Sequence, residues 1–283
     1  MASTGMAAAK NGTIARSIRT RAMLLFEMSQ AGLEANRWAA GVKFQPRDCR
    51  PLTLGKSVWY CDGTDDLAAG TDCVAFVEQY AFSIEDALRD TTMGAQVTDI
   101  RELLRARYDE MLSWAFASTL VGLNSGFDGL TLPSTAHAPD GGYGAGTAMV
   151  KALAILENEL ADTLHGAVGM IHMSPGALLV ANAGGALEVS GSEVRTPTGH
   201  RVVADAGYFK AAAPSGQSGS TANTSEWIYA SGPIQYEASA YTVLGDDSNM
   251  GLDPFHNKVE LQSQSQGIFI FDPCAVTAVL ATY

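Results

Sequence analysis

Residues 97–123 read VTDIRELLRARYDEMLSWAFASTLVGL. Val97, Ile100, Leu104, Met111, Ala115 and Leu120 recur at three- and four-residue steps, while Arg101, Arg105, Asp109 and Glu110 fall elsewhere on the helical wheel. That pattern predicts an amphipathic helix with one stripe for a core and the remainder for solvent. At about 1.5 Å per residue it spans roughly 40 Å, long for a globular helix and suited to a structural spine. Thr98 is placed to cap its start, although Arg101 stands where a capping box would have Glu.

The chain before the spine is of a different kind. Residues 1–12 are small and polar, as in a mobile tail. From Ile14 to Leu33 a helical pattern is expected, with Ile14, Ile18, Ala22, Leu25 and Ser29 on one face and Arg16, Arg19 and Arg21 as a basic flank. Residues 38–90 read as strands and loops: Trp38 to Phe44 is one candidate, and Cys73 to Phe82, rich in aromatic and β-branched residues, a stronger one. Between them lies Ser57-Val-Trp59-Tyr-Cys-Asp62-Gly63, where Asp62-Gly63 is a turn signal. The stretch is expected to form a long β-hairpin standing off the body. An isolated hairpin is marginal in water, so its stability is expected to come from a partner.

After the spine, residues 124–146 hold six glycines including Gly144, a loop long enough to lie at an interface. Ala148 to Ala167 predicts a second helix carrying Leu153, Leu156, Leu160 and Leu164. Met170 to Ala183 predicts a short strand followed by a helix that starts at Pro175 after Ser174. Beyond Leu187 the chain turns β-rich: strands are expected at 202–209, 227–230, 234–244 and 267–272, a looser one at 258–264, and a last one from Ala275. These elements together make an α+β fold.

Of 283 residues 47% are hydrophobic and 17% charged, a globular composition poor in charge, which leaves surface free to bury against further copies. The net charge is −12, unfavourable for nucleic-acid binding by the body as a whole. Residues 1–50 nonetheless hold eight Lys/Arg against three Asp/Glu, so a basic arm sits on an acidic body. No apolar run is long enough for a transmembrane helix, and no secretion signal precedes the arm. Cys49, Cys61, Cys73 and Cys274 include no C-x-x-C pair and are expected as reduced thiols in a cytoplasmic setting.

No catalytic constellation emerges. His137, His165, His172, His200 and His256 lack metal-ligand spacing, and His172-Met-Ser174 lacks the G-x-S-x-G elbow. The glycines at 142, 144 and 146 precede a helix without the lysine of a phosphate loop. The expectation is a non-enzyme with no catalytic residue, cofactor or metal.

Taken in order, the basic arm, hairpin, spine, Gly-rich insertion, mixed domain and returning strands resemble the major capsid protein of tailed bacteriophages, the Hong Kong 97 fold. Trp38-Ala-Ala-Gly41-Val-Lys-Phe44 with Cys49 resembles the hinge region of the protruding loop in capsid proteins of actinobacterial phages. Similar passages are Glu157 through Gly169-Met-Ile-His172-Met-Ser-Pro175, Thr196-Pro-Thr-Gly199-His-Arg-Val-Val203 with Gly207-Tyr208, and Phe271-Asp-Pro-Cys274. The resemblance covers about residues 35–283. It implies an N-terminal arm at 1–37, an E-loop hairpin and its base at 38–90, a P-domain spine at 91–124, an A-domain at 125–226, and strands returning to both domains at 227–283.

It further implies self-assembly into hexamers and pentamers of an icosahedral shell, formed in the host cytoplasm and ending as the virion capsid, with no membrane partner. DNA would be enclosed without specific binding, and separate scaffolding, portal or decoration proteins are possible partners. Assembly contacts are expected at Arg16, Arg19, Arg21, Lys56, Trp59, Asp62, Gly63 and Gly144. Some members join Lys to Asn covalently; Lys56 lies in the hairpin, but no partner stands out and no such bond is expected. Two alternatives remain: an encapsulin-like shell around protein cargo, and a small-molecule enzyme of α+β fold.

Overall fold

The computed structural model describes residues 28–33, 38–44, 46, 59–60, 73–74, 76–91, 97–139, 142–143, 147–190, 193–218, 224–244 and 258–283. Strands β1 (Ser29–Gln30), β2 (Val42–Phe44), β3 (Trp59–Tyr60), β4 (Cys73–Val74), β5 (Val77–Gln79) and β6 (Phe82–Thr91) precede the spine helix α1 (Val97–Leu120). A one-turn helix α2 (Leu132–Thr135), β7 (Thr147–Ala148), α3 (Met149–Thr163), β8 (Met170–Met173) and α4 (Pro175–Ala183) follow. The remainder is β9 (Glu188–Ser190), β10 (Glu193–Arg195), β11 (Arg201–Ala204), β12 (Ser225–Ser231), β13 (Gln235–Ala238), β14 (Thr242–Leu244), β15 (Lys258–Ile270) and β16 (Thr277–Thr282).

The spine helix forms where its periodicity placed it. It ends because Gly122 adopts φ 75°, which lets Gly122 N–H donate to Thr119 O and Leu123 N–H to Ser118 O, the paired closure of a left-handed helix cap. Leu104, Tyr108, Phe116 and Leu120 are buried along one stripe. They face a first sheet in which β6 and β15 run antiparallel over ten residue pairs, from Phe82 opposite Gly267 to Thr91 opposite Lys258. On the other edge of β15 lie β14 and β13, with β1 outermost. Phe82, Phe116, Phe127 and Phe269 meet at ring distances of 5.0–5.8 Å. Arg107 Nη2 reaches Asp86 Oδ1 of β6 at 3.1 Å, and Tyr108 Oη lies 2.7 Å from Ser265 Oγ of β15. The two strands expected at 258–264 and 267–272 are one continuous strand, because β6 pairs with it without a break from Lys258 to Gly267 and so bridges the gap between them.

A second sheet has the order β7-β16-β12-β8-β11-β10-β9. Its inner strand β12, between β16 and β8, is buried at all seven positions. Trp227 and Tyr229 point to the core shared with α1, while Ile228 and Ala230 point to a second core under α3 and α4. A strand covered on both faces reads as a continuous apolar run, as this one does. Pro175 opens α4 as expected, with Ser174 Oγ accepting from Ala177 N at 3.2 Å.

Three expectations are corrected. The helix predicted over residues 14–33 does not run through Ser29–Gln30, which is strand, because pairing with β13 overrides local helix propensity. The excursion between 44 and 77 is no plain hairpin: β2 and β5 pair antiparallel, but β3 and β4 pair parallel, which a tight Asp62-Gly63 turn cannot join. Cys274 is disulfide-bonded where a thiol was expected; sequence spacing does not reveal which cysteines the fold brings within bonding reach.

The spine also touches the second sheet's side, at the turn of Ala206–Tyr208. A Cβ on Gly207 would lie 2.7 Å from Ser118 N, Trp114 O and Ala117 Cβ, all on α1. Backbone atoms cannot swing aside, so Gly207→Ala should lower stability by about 1–3 kcal/mol. This is read as a lower urea midpoint of the purified monomer with unchanged m-value.

Candidate assembly elements and the junction network

The N-terminal arm leaves the body at β1. Ser29 N donates to Ile234 O at 3.2 Å and Ala31 N to Tyr236 O at 2.8 Å, a parallel edge pairing on this chain's own sheet. Met28 is buried in the first core. Glu237, itself buried, accepts from Gln30 Nε2 at 2.8 Å and from Leu33 N at 3.3 Å. Residues 28–33 are therefore fastened to the body, whatever lies before them.

The β2–β5 ribbon flanks the stretch between Phe44 and Val77. Along β5, Phe76, Glu78 and Tyr80 are exposed, whereas Gln79 between them is 1% exposed. Its carboxamide makes two bonds to one residue: Nε2 donates to Leu130 O at 3.0 Å, and Leu130 N donates to Oε1 at 2.7 Å. Two glycines make room for it. A Cβ on Gly129 would sit 2.5 Å from Gln79 Oε1, and Gly41, at φ 110°, would place one 2.9 Å from Gln79 O. On the outer face Lys43 lies 5.7 Å from the Phe76 ring centre, and Tyr80 Oη donates to Glu78 Oε2 at 3.3 Å.

Where the spine meets the second sheet, buried polar groups form a closed network. Asp205 accepts from Ser113 Oγ of α1 at 2.7 Å and from Gly207 N at 3.0 Å. His172 of β8 bridges Tyr208 Oη (2.9 Å) and Ser231 Oγ (2.8 Å). Ser231 spends its single proton on Gly232 O at 2.8 Å. His172 Nε2 must then be the donor to Ser231, and Nδ1 accepts from Tyr208. Burial raises the Tyr208 hydroxyl well above its usual value, with the Asp205 charge adding to it, so the phenol keeps the proton it donates. Burial also lowers His172 to about 3, so the ring stays neutral.

Of the residues predicted for assembly, Arg16, Arg19, Arg21, Lys56, Asp62, Gly63 and Gly144 lie outside the described residues. Trp59 is described only as backbone, in β3 opposite Cys73. Gln79, Gly41, Gly129 and Glu237 were not singled out from sequence. Gln79 carried a signal, since it is a polar residue on the opposite strand parity from Glu78 and Tyr80.

Among the described residues no three His, Cys, Asp or Glu gather into a metal site. A groove of about 690 Å³ lies at the start of α4, lined in part by Ser174, Phe209, Lys210, Glu226 and Tyr283. Its polar atoms are bonded to one another: Ser174 N and Oγ both donate to Glu226, at 3.2 Å and 2.7–2.9 Å. Burial first and the Glu226 carboxylate second raise the Tyr283 hydroxyl. Ser174 is a helix cap tied to a carboxylate, an arrangement that does not activate a nucleophile.

No sequence-family model and no curated protein matches the chain. Solved structures do. The capsid of the native GTA particle matches with TM-score 0.58 at 14% identity, over 98% of this chain and 96% of that one. A chain of Gordonia phage Cozz matches with TM-score 0.55 at 11% identity, over 93% and 87%. The chain has the fold of phage major capsid proteins. That fold extends to the encapsulin of Synechococcus elongatus, matched with TM-score 0.55 at 11% identity over 97% and 91%. The α+β class read from the sequence is the class observed.

The network sets an acid response. With a folded-state value near 3 against about 6.5 unfolded, His172 takes up a proton only on unfolding within that window. Its contribution to stability is complete above pH ~6.5 and falls as pH drops towards 3, on the order of 4 kcal/mol in all. His172→Leu should be less stable near neutral pH, because Tyr208 loses its acceptor and Ser231 its donor, yet show a shallower decline on acidification. Urea unfolding of the unassembled subunit at a series of pH values compares the two slopes.

Proposed function

We propose that this chain is the major capsid protein of a tailed phage, building hexamers and pentamers of an icosahedral shell around DNA. The carrying observation is end-to-end likeness to a particle capsid: nearly the whole of both chains superposes, so no large part is left over for another task. The body supports the reading in two ways. The stretches read as a basic arm and a long loop adjoin β1 and the β2–β5 ribbon, each of which is held by only a few backbone pairs. It also spends its buried polar groups on internal bonds. Capsid-like neighbours point to a structural and not an enzymatic role.

On this reading the spine helix and first sheet form the P-domain, the second sheet with α3 and α4 the A-domain, and residues 45–76 the E-loop that lies across a neighbour. Arg16, Arg19 and Arg21 give the arm the charge to dock on the acidic body of another copy. Lys56, Trp59, Asp62, Gly63 and Gly144 remain proposed contacts. Small contacts suffice, because closed symmetry repeats each one around the shell. The encapsulin likeness favours a second reading, a shell around protein cargo.

Electron microscopy of the purified chain, alone and with a co-expressed scaffold, should show closed shells. Charge reversal of Arg16, Arg19 and Arg21 to Glu should leave the subunit's circular dichroism unchanged and abolish closure. A subunit that stays monomeric at high concentration under every condition would refute the proposal. Particles filled with protein and free of DNA would move it to the encapsulin reading.

A further inference from the structure

We infer that Gln79 is the positioning residue that fixes how the protruding segment leaves the body, through a two-bond clamp on Leu130. The inference rests on the shell-subunit reading and adds the device that aims its outreaching loop.

A backbone pair in a sheet exchanges one donor and one acceptor. The Gln79 carboxamide does the same with Leu130, offering Nε2 to its carbonyl and Oε1 to its amide. Neither a carboxylate nor a hydrocarbon of that shape can satisfy both groups. Leu130 stands in the loop that follows α1, so the clamp ties the ribbon to the end of the spine. Beyond β2–β5 the described pairing resumes only at Trp59–Tyr60 with Cys73–Val74. A three-pair ribbon pivots easily unless a side contact holds it, and Gln79 supplies that contact from its one buried face. Gly129 keeps the clamp closed by omitting the Cβ that would press on Oε1, and Gly41 leaves room for the Gln79 backbone carbonyl. The Phe127 ring packs the same spot: a Cβ on Gly129 would meet its Cζ at 2.3 Å.

The chemistry gives a test that general loss of packing does not mimic. In Gln79→Glu, an ionised carboxylate still accepts from Leu130 N but faces Leu130 O with no proton to give. Near neutral pH the clamp should open; at about pH 5 and below, where a carboxyl beside a carbonyl holds its proton, it should close again. Gln79→Leu should be open at both. Gly129→Ala, which pushes Oε1 from the other side, should open it without touching the carboxamide.

Hydrogen exchange of the Leu130 amide, corrected for intrinsic rate, reads the clamp on the unassembled subunit. Glu78 and Asp128 also place carboxyl groups within two residues of the clamp's partners in the chain, so each variant is compared with the wild type at the same pH. Gln79→Glu should lose protection at Leu130 by about tenfold or more near neutral pH, regaining it on acidification, while amides of residues 112–120 keep theirs. Shells formed near neutral pH should become irregular in size, and regular again after assembly at the lower pH. Unchanged Leu130 protection, protection that acid does not restore, or uniform shells from a subunit whose clamp is open would each overturn the inference. Closure of shells by the wild-type chain is scored separately and judges the shell reading alone.

Discussion

The closeness of helix α1 to the turn at Ala206–Tyr208 governs the architecture. Gly207 lies against the helix backbone at a distance no other residue allows, and Asp205 reaches across to Ser113. One helix thereby serves two sheets. Its Tyr108 and Phe116 stripe packs on β6 and β15, while its last turns back the second sheet. If that approach opened by the width of a methyl group, the aromatic cluster at Phe82, Phe116 and Phe269 would lose its common wall. Dense packing makes such an error costly, because neighbouring atoms cannot flow in to fill it.

The second sheet carries the consequence. Its centre is covered on both faces, so β12 alternates between two cores. Polar groups in such a place are tolerated only when every one is bonded. His172, Tyr208, Ser231 and Asp205 meet that condition with directional bonds that a slipped register would break. Their value lies more in specifying one arrangement than in adding stability. A junction of this kind resists deformation, because shifting one element breaks bonds on the others.

The exported segments follow the opposite rule. β1 contributes two residues to its sheet, and the β2–β5 ribbon three pairs, and short pairings of this size are marginal by themselves. Each is backed by one buried side chain with matched bonds, Glu237 for the arm and Gln79 for the ribbon. The body thus holds the roots of its outreaching parts firmly, and on the shell reading leaves the rest to be stabilised by sister subunits.

Much of this was legible in the residues. The three- and four-step recurrence in 97–123 set the spine, Ser174-Pro175 set the start of α4, and the apolar run at 227–230 set a buried strand, since these are short-range preferences written in adjacent side chains. The helix expected through Ser29 and Gln30, the plain hairpin within 38–90 and the free thiol at Cys274 failed because each outcome depends on a partner distant in the chain. The same holds for the candidate site: charge in the arm can be counted, but nothing near Gln79 in sequence points to Leu130. The sequence by itself determined where the spine helix and the core strands run, since hydrophobic period and composition act locally. Only the tertiary structure decided which side chain clamps which loop, because a hydrogen bond between residues fifty-one positions apart exists only once the backbone has brought them together.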